Sequence, residues 1–519
     1  MANIMEFGDT GLPTKGQLCY FSTSNLDYKY IIVILISQLR AIESQNVFYI
    51  NYLILRHLRV RSLLLLSFQN PQLFFTGSIK KERLSNMALK FRNNTGLAAL
   101  IATLTFLTFW IWPRPVSAAE AAAMNPADTA WVLVSAAMVM LMLPGLALFY
   151  GGMVQRKNVL SSIMHSFVPL GILGLLWIIV GYSLSFTGGN WFIGGLSQFM
   201  LLGTTVDSLT GTIPTYAFVM FQGMFAIITP ALISGAIAER MTFRSYVAFL
   251  ILWSLFVYYP LAHWVWGGGW FQAIGGLDFA GGLVVHLSAG ISALAIAIVI
   301  GKRKGFPSEM FVPHNLTMTL LGVGLLWFGW FGFNAGSALA ANATAALAFT
   351  ATMTAAAAGA CSWMTMEWFI IKKPSALGFA SGIVAGLGAV TPASGFVSPA
   401  SAMLIGLVSG AICFYGVRMK FSLDYDDSLD VVGVHGVGGL WGTLATGLFA
   451  TAGATGLTAG NPRQLGIQAI GVIVVGLYCL TATYLIAYFL EKTIGLRVGA
   501  EEELSGLDKE IHGEVGYSI

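Results

Sequence analysis

The chain has 519 residues, of which 56% are hydrophobic and only 10% are charged, and its mean hydropathy is +0.76. These values lie outside the range of water-soluble globular domains and indicate a membrane protein. The formal net charge of +4 comes from residues 1–86, where nine Lys and Arg accompany five Asp and Glu, while the remaining residues carry eighteen of each. The charge therefore gives no support to a nucleic-acid partner.

A stretch that begins at Met87 has the layout of a secretory signal peptide. A short basic segment is followed by an apolar run of about fifteen residues and by a small-residue cleavage pattern near Ala118. We interpret residues 87–118 as a signal peptide and residues 1–86 as a non-native or disordered extension that precedes the true translation start. The alternative is a start at Met1, with the extension a genuine segment whose "SLLLLSF" contacts the membrane surface.

Eleven apolar stretches of membrane-spanning length follow, joined by short connections. They predict an all-α, polytopic membrane domain within residues 119–490, followed by a C-terminal tail over residues 491–519. The predicted spans are 129–151, 160–186, 215–237, 243–264, 279–301, 315–334, 343–371, 376–392, 399–418, 431–450 and 465–490.

Positive charges distinguish the two ends of these spans. If the mature N-terminus is outside, eleven Lys and Arg lie in inward loops and only Arg463 lies in an outward loop. This bias predicts a multi-pass protein of the cytoplasmic (inner) membrane, with its N-terminus outside and its C-terminus in the cytosol. The inward cations are Arg156, Lys157, Arg240, Arg244, Lys302, Arg303, Lys304, Lys372, Lys373, Arg418 and Lys420.

Two aspartates are each followed, eight residues later, by a histidine. Asp278 precedes His286 in the fifth span, and Asp427 precedes His435 in the tenth. Because these spans cross the membrane in opposite directions, they indicate an inverted repeat of spans 1–5 and 6–10, with one extra span at the end. Eight helical residues rise about 12 Å, which places both histidines near the middle of a hydrocarbon core of about 30 Å.

Ionisable side chains at this depth usually mark a pathway. A lone histidine is explained more simply by a hydrogen bond to a helix carbonyl, but two in inverted positions favour imidazoles that meet. A metal site would need a third ligand, which neither histidine has nearby, and the four cysteines lack metal or disulfide spacing. We therefore predict no metal and no cofactor. An intramembrane enzyme would need a nucleophile or metal beside the histidines, so we predict that the protein is not an enzyme.

Aromatic and small polar residues collect at the outward ends of the predicted spans. "HWVWGGGW" contains Trp266, "FQGMFAIIT" separates Phe221 and Phe225 by one helical turn, and "WFGFNAGSA" contains Phe333 and Ser337. Each stretch alone fits an interfacial belt or ordinary packing. Together they provide aromatic faces and a hydroxyl without a carboxylate aimed at the substrate. This set suits a small cation held by cation–π attraction, whereas sodium and potassium prefer hard oxygen ligands.

In order and spacing, these motifs resemble those of the ammonium transporters of the Amt/Mep/Rh superfamily. The matching stretches are "AHWVWGGG", "DFAGGLVVHLSAGISALA", "VPHN", "GWFGFNAGS" and "VGVHG", and the resemblance covers about residues 125–519. It implies a homotrimer of eleven-helix subunits, each with its own narrow apolar pore. The presence of Trp266 places the chain on the Amt side, of bacterial type.

The resemblance also implies roles for eight side chains in binding or conduction. These are Phe221, Trp266 and Ser337 at an external ammonium-recruitment site, Phe225 and Phe333 at the pore gate, His286 and His435 as twin histidines lining the pore, and Asp278 as a supporting buried acid.

The expected function is selective uptake of ammonium. Ammonium is a cation at neutral pH and an apolar pore opposes a bare charge, so we expect the cation to be recruited and deprotonated before ammonia passes the histidines. The proton is expected to cross separately, since a neutral imidazole has one donor and one acceptor nitrogen. The alternatives are an electroneutral ammonia channel of Rh type and an ammonium sensor. A sensor would be expected to carry an appended cytosolic domain, which the short tail does not contain.

The tail over residues 491–519 is acidic and polar, and its composition favours a solvated, disordered segment. The resemblance implies instead a cytosolic regulatory tail that packs on a neighbouring subunit and is coupled to a PII-type nitrogen-regulatory protein. The remaining expected partners are ammonium or ammonia and the lipid bilayer.

Overall fold

The computed structural model describes residues 123–309 and 311–518. The predicted extension over residues 1–86 and the predicted signal peptide over residues 87–118 lie outside the described residues. Within the described part, nearly all regular structure is helical, in agreement with the predicted all-α membrane fold.

Nine helices of the described chain are long and apolar enough to cross a membrane. Two further helices, α8 and α10 below, are shorter or less apolar and complete the predicted set of eleven; two short helices follow in the tail. In chain order they are α1 (Pro126–Met153), α2 (Arg156–Phe186), α3 (Thr215–Ile237), α4 (Phe243–Ala273), α5 (Gly282–Ile300), α6 (Leu316–Gly336), α7 (Ala343–Ile370), α8 (Ala376–Val390), α9 (Pro399–Ser422), α10 (Val432–Gly436 continued by Val437–Phe449), α11 (Pro462–Thr493), α12 (Ala500–Ser505) and α13 (Leu507–His512).

Side-chain caps begin several of these helices. The side chains of Asn125, Asn315, Asn342, Ser375 and Ser398 each accept a hydrogen bond from a backbone N–H of the following first turn. Such caps satisfy donors that have no partner within the helix. They matter here because a hydrocarbon environment offers no water to replace a missing hydrogen bond.

Glycine and alanine allow the helices to approach closely. α1 runs along α6, where a Cβ added to Gly322 would collide with the backbone of Phe149. α7 and α8 make a similar contact, where a Cβ on Gly386 would collide with the backbone of Ala355. Lipid tails are as apolar as the side chains, so close packing of this kind, rather than hydrophobic burial, drives helix association in a membrane.

α5 and α10 cross with their backbones in contact at Gly290 and Gly436. Both helices begin with a π-helical turn, Gly282–Leu287 in α5 and Val432–Gly436 in α10. These turns contain the two histidines, and single-turn π-helices frequently occur at functional sites. The crossing therefore brings together the two segments that the inverted-repeat prediction relates.

Buried ion pairs join several loops on one face of the helices, which we call the tail-side face. Arg303 donates to both carboxylate oxygens of Asp426, each at 2.9 Å, and to Glu239 at 2.7 Å. Arg240 donates to the backbone oxygen of Asp426 at 2.5 Å. Burial alone would raise the pKa of Asp426, but the hydrogen bonds and charges of Arg303 and Arg240 hold it below its ordinary value.

The C-terminal tail packs against its own subunit at this face. Asp508 of α13 accepts hydrogen bonds from the backbone N–H groups of Leu160 and Ser161, at 3.0 and 2.8 Å. Its carboxylate thus caps the α-helical part of α2, which begins at Val159 after a 3-10 turn over Arg156–Asn158. The helix dipole favours negative charge at this position. Glu503 pairs with Arg497 at 2.8 Å. This arrangement differs from the solvated segment that composition favours, because the acidic side chains have specific partners.

We predict that Gly290→Ala destabilises the fold. The added methyl group would overlap the Gly436 backbone and force α5 and α10 apart, with an expected cost of about 1–3 kcal/mol for overpacking. Thermal unfolding of the detergent-solubilised protein would measure the loss. Gly324→Ala is the control, because its added Cβ meets no atom within 4 Å. Equal unfolding temperatures for the two variants would contradict the close crossing.

Asp426→Asn is expected to destabilise the protein by about 3–5 kcal/mol at neutral pH, because it leaves two buried arginines with too little negative charge. The folded state lowers the pKa of Asp426, so the wild-type advantage is complete above the ordinary aspartate pKa and declines as the pH falls through the lowered value. Thermal unfolding at several pH values would measure this. Asp424→Asn removes an exposed ion pair and is expected to cost at most about 1 kcal/mol; equal losses would argue against the network.

Candidate functional site

Asp278 anchors the start of α5. Its buried carboxylate accepts hydrogen bonds from the backbone N–H groups of Gly281 and Gly282 at 2.8 and 2.6 Å, and of Leu283 and Val284 at 2.8 and 3.4 Å. Gly281 has φ +116°, a left-handed conformation that favours glycine. A carboxylate that receives four N–H groups at a helix N-terminus is strongly held, so Asp278 fixes where α5 begins.

Asp427 has the equivalent place before α10. One of its oxygens accepts a hydrogen bond from the backbone N–H of Val432 at 2.7 Å. In each repeat, therefore, an aspartate caps a π-helical turn and a histidine follows within that turn. The shared eight-residue spacing has a structural consequence. It fixes how far His286 lies from Asp278 along α5, and how far His435 lies from Asp427 along α10.

The two histidines contact each other directly. The Nδ1 atoms of His286 and His435 are 3.1 Å apart and the rings are nearly coplanar, with an interplanar angle of 11°. In a neutral pair, one ring donates from Nδ1 and the other accepts, so one outer Nε2 is a free acceptor and the other carries a proton. Nε2 of His286 is buried and has no partner among the described residues.

Trp330 orients the His286 ring, and our sequence interpretation assigned it no role. The indole stacks on the imidazole with centroids 5.4 Å apart and an interplanar angle of 19°. Its Nε1 donates to Thr391 Oγ1 at 2.9 Å, and that hydroxyl donates to the backbone oxygen of Leu387 at 2.8 Å. A helical pattern could have revealed it, because Trp330 lies three residues before Phe333 on the same face of α6.

Two stacked phenyl rings lie next to the histidines, on the side away from the tail-side face. Phe225 of α3 and Phe333 of α6 lie with ring centroids 4.1 Å apart at an angle of 30°, and both are buried. Phe221 and Trp266 both pack edge-to-face with Phe225, with ring centroids 5.0 Å and 6.0 Å from the Phe225 centroid, respectively. The structure thus brings together the aromatic residues that the sequence assigned to the gate and the recruitment site.

Trp266 and Ser337 form the more accessible part of this aromatic cluster. Trp266 is half-buried, and its Nε1 donates to the backbone oxygen of Asp278 at 2.8 Å. Ser337 is also half-buried and donates to the backbone oxygen of Phe333 at 2.8 Å. Since that bond uses the hydroxyl proton, the Ser337 oxygen keeps lone pairs that can accept a hydrogen bond from a cation. Phe221 is fully buried and forms a wall below these residues.

A small apolar cavity follows the stacked rings. It has a volume of about 20 Å³, enough for one water-sized molecule, and its surface is apolar, although His286, His435 and Tyr150 are among the lining residues. The Tyr150 hydroxyl donates to the backbone oxygen of Leu232 at 3.0 Å. The lining residues are Met142, Leu146, Phe149, Tyr150, Ile228, Leu232, Val285, His286, Leu326, Trp330, Phe333, Val384 and His435.

The cavity continues toward the tail-side face. A second cavity, of about 10 Å³, shares Tyr150 and His435 with the first and is also lined by Met153 and Asp430. Met153 and Asp430 in turn line a wider vestibule at the tail-side face, where Lys420 pairs with Asp430 at 2.6 Å. Because neighbouring cavities share lining residues, the three form a series from the stacked rings, past both histidines, to the vestibule, and we call this series the passage.

Within the described residues, no group of three His, Cys, Asp or Glu side chains could hold a metal ion. The histidines instead use their Nδ1 atoms to contact each other. The arrangement can offer a neutral small molecule a hydrogen-bond donor and an acceptor inside an otherwise apolar cavity.

The fold and this passage define a polytopic membrane protein that conducts a small solute. A family model described as the Ammonium Transporter Family matches residues 130–517. The chain belongs to this family, which consists of transporters rather than enzymes.

Individual relatives and solved structures agree with this assignment. The chain is 49% identical over 402 residues to an ammonium transporter of Bacillus subtilis, covering 76% of this chain and 99% of the relative. It is 47% identical over 399 residues to Amt1 of Archaeoglobus fulgidus, covering 76% and 100%. The crystal structure of Candida albicans Mep2 is similar with a TM-score of 0.69 at 34% identity, covering 73% of this chain and 88% of that one.

We predict that Asp278→Asn lowers both stability and transport. Asparagine retains one acceptor oxygen and loses the charge, so the charge-assisted hydrogen bonds at the start of α5 are expected to lose about 1–2 kcal/mol. Thermal unfolding and ammonium uptake in liposomes would measure the two effects. The control is Asp207→Asn in an exposed loop. An Asp278 variant as stable and active as this control would contradict the anchoring role.

Proposed function

We propose that this ammonium transporter takes up ammonium by recruiting the cation, deprotonating it beyond the stacked rings, where His286 can accept the proton, and passing ammonia along the twin-histidine passage. The observation that carries the proposal is the pair of hydrogen-bonded imidazoles in an apolar cavity of about 20 Å³, behind two stacked phenyl rings. The cavity admits one small molecule at a time and offers a bare cation almost no polar compensation.

Recruitment relies on Trp266, Phe221 and Ser337. The half-buried indole can attract a cation through its ring face, and the Ser337 oxygen can accept one ammonium N–H. Asp278 supports this site indirectly, because its backbone oxygen orients the Trp266 indole while its carboxylate is occupied by α5. No carboxylate is needed in contact with the substrate.

Deprotonation provides the selectivity. Moving ammonium through the apolar cavity and past the histidines as a cation would cost several kcal/mol of hydration free energy, whereas neutral ammonia loses far less. Potassium has no proton to release and would have to enter the cavity charged. The apolar passage would thus reject it without any site that measures ionic radius.

The histidine pair can carry the proton that ammonium releases. If His286 donates from Nδ1 to His435, its unpartnered Nε2 can accept a proton from the side of the rings. The Nδ1 proton then moves to His435, which releases its own Nε2 proton toward the tail-side cavity. One proton enters, one leaves and both rings end neutral, with their tautomers exchanged; the exchange must be reversed before the next proton.

We further propose a homotrimer in the cytoplasmic membrane with the tail-side face in the cytosol. Eleven loop cations against one support this orientation, and the ion pairs of Arg240, Arg303 and Lys420 are at the tail-side face. A PII-type regulatory protein is the proposed partner of that face and of the tail.

Two other functions remain testable alternatives. The solved structure named Sensor Amt Protein is similar to this chain, with a TM-score of 0.70 at 34% identity, covering 73% of this chain and 97% of that one. A sensor would bind ammonium and transport little of it. An electroneutral channel would conduct ammonia without a matching proton.

Replacing both histidines tests the proposal. In liposomes containing His286→Leu/His435→Leu protein, we expect ammonium uptake to fall by more than about tenfold, or its discrimination against potassium to disappear, because a leucine pair relays no proton. His512→Leu is the control, since it removes an imidazole outside the passage. Wild-type selectivity and flux in the double variant would contradict the mechanism, while ammonium binding without flux in the wild type would favour the sensor.

A further inference from the structure

A further, larger cavity lies between the start of α2 and the C-terminal tail, away from the passage. It has a volume of about 400 Å³ and is lined by Arg156 and Lys157 from the start of α2 and by Asp508, Lys509 and Tyr517 from the tail, among others. Neither the gate nor the vestibule includes these residues. The proposed transport mechanism therefore leaves this cavity without a role.

Among the described residues, the lining of the cavity has an excess of positive charge. Three cations line it against one carboxylate, and that carboxylate, Asp508, is already bonded to the backbone N–H groups at the start of α2. Arg156 and Lys509 form no ion pair with any described residue. Lys157 donates to the backbone oxygen of Leu504 at 2.5 Å, a bond that leaves its charge unneutralised. A cavity of this kind favours an anion.

Tyr517 holds the tail wall of the cavity in place. Its hydroxyl lies 3.0 Å from His314 Nε2, and the Arg156 guanidinium lies over its ring at 5.6 Å from the centroid. The cavity thus has walls from two separate segments of the chain, and an anion inside it would contact both.

The position of the cavity along α2 indicates which anion could reach it. α2 exposes a row of large apolar side chains, Met164, Phe167, Leu175 and Ile179, which is typical of a helix that faces lipid. The cationic first turn lies directly beyond the end of this row. Lysine and arginine at that level meet the phosphate groups of the adjacent leaflet.

We propose that this cavity binds the phosphate headgroup of an anionic phospholipid whose acyl chains lie along the exposed face of α2. Arginine can hold phosphate oxygens with two parallel N–H bonds, and lysine adds a point charge. The bound headgroup would bridge the start of α2 and the tail, and it would thereby hold the tail on its own subunit.

Lipid titration of the purified full-length chain tests the proposal. Binding of short-chain phosphatidylglycerol, phosphatidylcholine and inorganic phosphate would be measured in detergent by native mass spectrometry and by intrinsic fluorescence. Arg156→Gln/Lys509→Gln removes two exposed cations from the cavity. We expect the affinity of this variant for phosphatidylglycerol to fall about thirtyfold, which corresponds to about fivefold for each cation removed. The control Lys372→Gln/Lys373→Gln removes two exposed cations from the α7–α8 loop and is expected to bind like the wild type.

Three results would overturn the proposal. Equal affinity of the cavity variant and the control for phosphatidylglycerol would show that the lipid binds elsewhere. Equal binding of phosphatidylcholine would show that anionic charge is not recognised. Inorganic phosphate that binds as tightly as the lipid and displaces it would make the cavity a site for a soluble anion. Thermal unfolding without lipid verifies that the cavity variant is folded.

Discussion

The carboxylate of Asp278, held by four backbone N–H groups at the start of α5, is the interaction on which the passage depends. It fixes the first turn of α5, and its backbone oxygen fixes Trp266. Asp427 caps α10 in the opposite direction. Because a histidine follows each cap at the same interval, two remote segments deliver two imidazoles to one point, and the contact of Gly290 with Gly436 allows the helices to come close enough for the rings to bond.

The proposed mechanism makes two opposite physical demands on the passage. Substrate must be attracted as a cation, which aromatic faces and one hydroxyl oxygen can do at a half-buried surface. The same substrate must then cross a region in which a bare charge is too costly. The stacked rings of Phe225 and Phe333 lie between the half-buried surface that attracts the cation and the apolar cavity that excludes it. In the proposed mechanism, the imidazole pair lies where both species, ammonia and proton, need hydrogen-bonding partners.

The sequence predicted the parts of this arrangement that have a simple periodic or spacing signal. We could predict the spans, their charge asymmetry and the two Asp–His segments from the sequence, because each depends on local composition or on helix rise. The capping role of Asp278 was not predicted: the resemblance implied only a supporting buried acid, and the sequence does not show that its carboxylate accepts hydrogen bonds from the backbone of α5. Trp330 was missed because its stacking on His286 depends on how α6 packs beside α5. Composition did not predict the fold of the acidic tail, because its partners, such as Leu160 and Ser161 of α2, are more than 300 residues away in sequence; the resemblance implied a packed tail, but on a neighbouring subunit.

In the proposed mechanism, ammonium is deprotonated, and one ammonia and one proton then cross the membrane by separate routes. The most direct test of this mechanism is the charge carried per ammonia: wild-type protein in liposomes is given an ammonium jump, and the current and the lumenal pH are recorded at the same time, with potassium as the control. The account predicts an inward current specific to ammonium, with one charge for each ammonia that enters. Lumenal alkalinisation without current would show that ammonia crosses alone, and an equal current with potassium would show that the passage admits bare cations; either result would contradict the account.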